Sequence, residues 1–259
     1  MPAELRSTSE GRTMVLTLSN PEHRNAMGPE IYAAGIEALG VAESAAEVRS
    51  VVITGAGAHF SGGGQLQRLQ ATRRLPADEQ TEGIDGLHTW IEAIRTFPKP
   101  VIAAVEGACA GGAFSLALAC DFVVAAEDAV FVMAHTHIGL SCDGGASWSL
   151  MRSLPRQVAA ELLMAGERFD AQRLHTLGVV NRVTAPGAAF DQALQLAERL
   201  NAKAPNALAS FKELMNEATE NSLPQQLARE RHHFVKNLNH ANAGLGIEAM
   251  LARTRPAFE

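Results

Sequence analysis

The side chains and backbone groups that could do chemistry in this chain gather around two glycine clusters. In "TGAGAHFSGGGQL", residues 54–66, Gly62, Gly63 and Gly64 follow one another, which lets the backbone turn tightly and present bare N–H groups to a ligand. In "GACAGGAFSLALACD", residues 107–121, Gly111 and Gly112 open an apolar helical segment. The first N–H groups of a helix are unsatisfied and its dipole favours negative charge there. Two such donors converging on one oxygen would make an oxyanion hole. The competing reading is that the glycines only allow helix and strand to pack closely.

Familiar nucleotide motifs do not fit. Phe60 stands where a dinucleotide fingerprint needs its third glycine, and no Gly-Lys-Ser/Thr follows any glycine, so Rossmann and Walker sites are set aside. Ser115 lacks a nucleophile elbow, because Ala113 and Ala117 stand at the glycine positions. Asp143, in "GLSCDGGASW", is an acid–base candidate, although Asp before two glycines also suits a turn or helix cap. His88 flanks the apolar face set by Leu87 and Ile91 and reads equally as a half-buried structural histidine. In "HTH", residues 135–137, a strand would point both imidazoles one way, with Asp143 as a third metal ligand. Core hydrogen bonding is the simpler role. His232 and His233 lie in a charged helical stretch and read as solvated.

These groups must be held by a sizeable fold. The chain has 259 residues, of which 47% are hydrophobic, enough for a large core. Its net charge is -6, from 22 Lys+Arg against 28 Asp+Glu, and no basic run interleaves with aromatics, so nucleic acid is not an expected partner. Three unpaired-looking cysteines suit reduced thiols. The start "MPAELRSTSEGR" has no apolar signal region and no apolar run is long enough to span a bilayer. A soluble, cytoplasmic protein without membrane contact is expected.

Short β-branched runs at 13–18, 50–55, 100–107, 121–126 and 178–183 alternate with helical patterns, which predicts an α/β architecture. Ile31, Ala34, Ala38 and Ala42 recur at helical spacing, as do Ile84, Leu87, Ile91 and Ile94. The polar "RRLPADEQTEG", 73–83, reads as a loop. From Pro186 onward strands vanish and four helices are predicted.

The ordered set "NPEHRNAM", "GAGAHFSGGGQL", "KPVIAAVEGACAGGAFSLALACD", "DGGASW" and "TLGVVNRV" resembles the crotonase superfamily, the enoyl-CoA hydratase/isomerase family, over nearly the whole chain. The resemblance implies a spiral of ββα turns with an acyl-CoA site over residues 1–200. It implies a helical region over 201–259 that packs on the core and on neighbouring subunits, giving a homotrimer or a hexamer of paired trimers. Coenzyme A would enter as part of the substrate, with no separate cofactor. The N–H groups of Gly64 and Gly112 would bind the thioester oxygen of an enolate-like anion. Asn25 and Ala26 would lie near the adenine end of the coenzyme and Leu66 near the acyl end, with Gly62 also binding substrate.

Alignment of these motifs puts Ser115 and His135 where hydratases of the family carry two glutamates, and Gln65 at a common aspartate. A serine hydroxyl does not titrate near neutrality and cannot replace a carboxylate as acid or base. Some isomerases of the family carry an aspartate in a "PDGG"-like segment, which corresponds to Asp143 with Cys142 in place of proline. The chlorobenzoyl-CoA dehalogenases pair such an aspartate with a histidine that matches His88, but their tryptophan is His135 here and their aromatic oxyanion-loop residue is Gly64. The expectation is double-bond isomerisation with Asp143 moving the proton. The alternatives are hydration or hydrolysis of a ring-derived acyl-CoA by Asp143, His88 or His135, and an acyl-CoA binding protein that has lost activity.

Overall fold

The computed structural model describes residues 3–258. Met1, Pro2 and Glu259, which belong to the two regions and the N-terminal segment considered above, lie outside the described residues. Among these residues nine strands form: β1 (Glu4–Glu10), β2 (Thr13–Ser19), β3 (Ser50–Gly55), β4 (Val101–Val105), β5 (Ala108–Ala110), β6 (Phe122–Ala126), β7 (Val130–Val132), β8 (Arg168–Asp170) and β9 (Arg182–Thr184). The helices are α1 (Pro29–Ser44), α2 (Leu66–Thr72), α3 (Ala77–Thr96), α4 (Gly112–Ala119), α5 (Ala146–Ser153), α6 (Arg156–Leu163), α7 (Ala171–Thr176), α8 (Ala189–Asn201), α9 (Pro205–Ala218), α10 (Leu223–Leu238) and α11 (Ala241–Ala252).

The larger sheet has the order β1-β2-β3-β4-β6-β9 and is parallel except for the β1–β2 hairpin. A smaller sheet has the order β5-β7-β8. Successive turns of chain give one strand to each sheet and then a helix, as in β4-β5-α4 and β6-β7 followed by a 3₁₀ turn and α5. This is the expected spiral.

Residue alternation along the strands explains the layering. Val51, Ile53, Val101, Ala103 and Val105 face the main core under α1, α3 and α4. Val52, Ile102, Ala104 and Val124 face Ala189, Ala193, Leu196 and Ala197 of α8. Both faces are covered, so β3 and β4 read as continuous apolar runs.

Four differences from the sequence reading have physical causes. The hairpin strand β1 was not foreseen, because it is an exposed polar edge with little apolar patterning. Residues 77–83 are helical, since α3 begins at Ala77 with Asp78 and Glu79 in its first turn, where the helix dipole favours acids. The last strand lies at Arg182–Thr184 and not over 178–183, because Gly178 takes φ +83° in the turn after α7. His233 is buried in α10, against the expected solvation.

The four C-terminal helices are present as expected. Helix α9 is tied to the core by Lys212, whose Nζ lies 2.7 Å from Asp121 Oδ2 and 2.9 Å from the Ile94 carbonyl. Asn216 adds paired hydrogen bonds to Arg95. Among the described residues no helix is long and apolar enough to cross a membrane.

Candidate active site

The loop after β3 is laced to β5, just ahead of the glycines that open α4, which fixes where the two glycine clusters meet. Ser61 N–H donates to the Ala108 carbonyl at 2.9 Å, and Ala110 N–H donates to the Ser61 carbonyl at 3.0 Å. Gly63 has φ +91°, and a Cβ there would lie 2.6 Å from the Ala110 oxygen, so only glycine permits this approach. Met27 N–H donates to the Gly63 carbonyl at 2.8 Å.

Asn25 works behind this loop. It is fully buried, and its amide nitrogen donates to the Ala56 and His59 carbonyls at 2.9 and 2.7 Å while its oxygen accepts from Asn20 N–H. Its side chain is thereby committed to shaping the glycine loop, and it is Ala26 beside it that lines the adjacent groove. That groove, of 940 Å³, is also walled by Gly62, Gly64, Leu66, Ala110 and Val132. Arg24, His23, His59 and Arg168 line it as well, together with the acids Glu22 and Asp128.

Next to Ala110, which lines the groove, Gly111 takes φ +54° and caps α4, leaving Gly112 as its first residue. The N–H at that position has no intrahelical acceptor. A Cβ at Gly112 would lie 3.4 Å from Asp143 Oδ1 and 3.2 Å from Leu87 Cδ2, so the carboxylate stands directly beside the helix mouth. Gly64, across the laced loops, has nothing within 4 Å of its Cβ direction.

Asp143 reaches this place through two neighbours. Ser115, buried on α4, donates its hydroxyl to the Asp143 carbonyl at 2.9 Å. Gly144 packs against Ser115, with a Cβ direction 2.7 Å from the serine Cβ and φ +59°. The serine therefore holds the backbone that carries the carboxylate. The carboxylate does not cap α5, whose N-cap residue is Gly145 without a side-chain cap. Instead Oδ1 lies 3.2 Å from His135 Nε2, with the two side chains 27% and 11% exposed.

The "HTH" segment is a 3₁₀ turn and not a strand. Its two imidazoles diverge, His135 toward Asp143 and His137 against Gly166. A shared metal on one strand face is not what this geometry provides. His88 is half-buried on α3, but Leu87 is the α3 side chain against Gly112 and Gly144. Burial pushes the Cys109 and Cys120 thiols up, which makes neither a nucleophile.

One residue of this neighbourhood was not picked out from the sequence. Tyr32 of α1 is buried, and burial with the nearby charge of Asp143 pushes its phenol up to about 12. It is the single tyrosine of the chain. A polar-tipped residue on the apolar face of a helix was the available signal.

Residues 8–259 match the enoyl-CoA hydratase/isomerase family. The chain is 36% identical over 206 residues to a putative enoyl-CoA hydratase of Thermus thermophilus, covering 80% of this chain and 81% of the relative. It is 33% identical over 250 residues to the 1,2-epoxyphenylacetyl-CoA isomerase of Escherichia coli, covering 96% and 95%. The crystal structure of an enoyl-CoA hydratase from Polaromonas sp. JS666 superposes with a TM-score of 0.98 at 65% identity, covering 98% of this chain and 99% of that one. The chain belongs to the enoyl-CoA hydratase/isomerase family, and its fold is that of the crotonase superfamily.

Proposed function

We propose that the protein isomerises the double bond of an enoyl-CoA thioester, with the Gly64 and Gly112 N–H groups on the thioester oxygen and Asp143 as proton shuttle. The observation that carries this reading is the Asp143 carboxylate beside the Gly112 helix mouth. Preorganised donors on the oxygen stabilise the anion formed when a proton leaves the carbon next to the carbonyl, by about 3 to 4 kcal/mol each. Asp143 takes the proton from C2 of a 3-enoyl thioester, and the electron pair spreads over a dienolate. The same carboxyl group returns the proton at C4, which leaves the 2-enoyl product. Nothing is oxidised and no water is consumed, so the reaction asks for no cofactor beyond the coenzyme A that the substrate carries.

The similarity to a named isomerase supports this reading. His135 at Asp143 favours one second reading, since an imidazole–carboxylate pair could direct water onto the same thioester. His88 has no comparable contact with Asp143. The groove's arginines and imidazoles suit the coenzyme's phosphates. Exposed apolar side chains on the C-terminal helices, Phe211, Phe234 and Leu251 among them, suit burial against further copies in a trimer or hexamer. Three free cysteines fit a cytoplasmic setting.

Replacing Asp143 with Asn tests the assignment. Turnover of a 3-enoyl-CoA should fall by about 10²- to 10⁴-fold, the usual share of a general acid–base group. Thioester affinity, measured by calorimetry, should persist. Undiminished turnover would remove Asp143 from the mechanism.

A further inference from the structure

Tyr32 lies against the same stretch of α3 that walls the Asp143 site. A Cβ at Gly86 would touch the Tyr32 ring at 3.4 Å, and the next residue, Leu87, is the one packed on Gly112 and Gly144. The ring is also held by Trp90, at 6.3 Å between centroids. Tyr32 is only 8% exposed, yet among the described residues its hydroxyl has no hydrogen-bond partner. Its oxygen is also absent from the sealed polar atoms, which include Trp90 Nε1 and His135 Nδ1, so the hydroxyl keeps an open side. Buried hydroxyls are ordinarily paired, and an unpaired one facing open space needs a ligand or water to complete it.

We infer that Tyr32 donates a hydrogen bond to a neutral oxygen on the acyl group, so that the preferred substrates are oxygen-bearing acyl-CoA thioesters and not plain hydrocarbon ones. The inference rests on the thioester reading above and names its substrate class. The phenol stays protonated at neutral pH, because burial and then the charge of Asp143 both oppose its ionisation. It is a donor, so its partner must be an acceptor. Asp143 is the largest charge acting on Tyr32, followed by the opposing charge of Arg68, which lies 4.0 Å from Glu30, and then by Glu30 itself. With the Asp143 carboxylate the largest of these charges, a neutral carbonyl, hydroxyl or ether oxygen suits the place better than a second carboxylate. A hydrocarbon tail would cover the hydroxyl without pairing it, the kind of mismatch that buried polar groups turn into selectivity.

The test is calorimetric titration of the whole protein and of Tyr32→Phe with hexanoyl-CoA and with derivatives bearing one ketone at successive chain positions. Phe keeps the ring packing on Trp90 and Gly86, and no protein hydrogen bond is lost. The native protein should bind one ketone derivative about five- to tenfold more tightly than hexanoyl-CoA. In Tyr32→Phe that preference should collapse to within about twofold. A preference that survives in Tyr32→Phe, or no preference in the native protein, would overturn the inference while leaving the thioester reading intact. Failure of every thioester to bind the native protein would overturn both.

Discussion

His135 Nε2 and Asp143 Oδ1 stand 3.2 Å apart, and the other imidazole nitrogen, Nδ1, is buried with no partner. The tautomer that suits both facts carries its proton on Nε2 and donates it to the carboxylate. In the proposed reaction this contact gives His135 the part of a positioning residue, which orients Asp143 without touching the thioester. His135→Ala should lower kcat by about 10- to 100-fold, as expected for losing a hydrogen bond to a charged group, with little change in KM. His135→Gln should restore part of the loss by offering an amide donor. An unchanged kcat in His135→Ala would show that Asp143 needs no such partner.

The glycine loop separates a structural requirement from a chemical one. At Gly63 a methyl group would strike the Ala110 carbonyl and the backbone is left-handed, whereas at Gly64 the space is open. Gly63→Ala should cost about 1 to 3 kcal/mol of stability in urea unfolding. Gly64→Ala should stay within about 0.5 kcal/mol, yet lose turnover, because its methyl enters the groove beside the proposed oxyanion donor. Equal stability losses at the two positions would contradict this division.

Tyr32 also makes a pH prediction that a single spectrum can read. Its folded-state pKa, about 12, lies above the ordinary tyrosine value of 10.0. The folded state therefore holds a proton that the unfolded state releases, so the contribution to stability is complete below pH 10 and is lost as pH rises toward 12. A shift of this size corresponds to about 2 to 3 kcal/mol. As the chain has one tyrosine, the phenolate absorbance band follows Tyr32 alone. Its midpoint should lie well above 10.0, and Tyr32→Phe should unfold less steeply in that alkaline range. A midpoint at the ordinary value would place the phenol in solvent.

Much of this arrangement is legible in the sequence because it is local. The apolar runs of β3 and β4 and the paired glycines before α4 announce themselves by residue type and period. Asp143 and the family resemblance could be read from motif order. What depends on distant partners could not. Asn25 carries no sign that its amide is spent on Ala56 and His59. The "HTH" spacing allowed a strand until the turn after β7 set the imidazoles apart. Ser115 read as a lost glutamate, whereas its hydroxyl holds the Asp143 carbonyl across 28 residues of chain. Tyr32 acquires meaning only once α1 and α3 are packed.

The central claim, that Asp143 moves a proton within the substrate and does not add water, is tested most directly by product mass in deuterium oxide. The protein is incubated with a 3-enoyl-CoA, and the conjugated thioester is followed by absorbance and mass. The account predicts a 2-enoyl-CoA that carries deuterium from solvent exchange at the carboxyl group and has gained no water. A product consistently heavier by one water would contradict it.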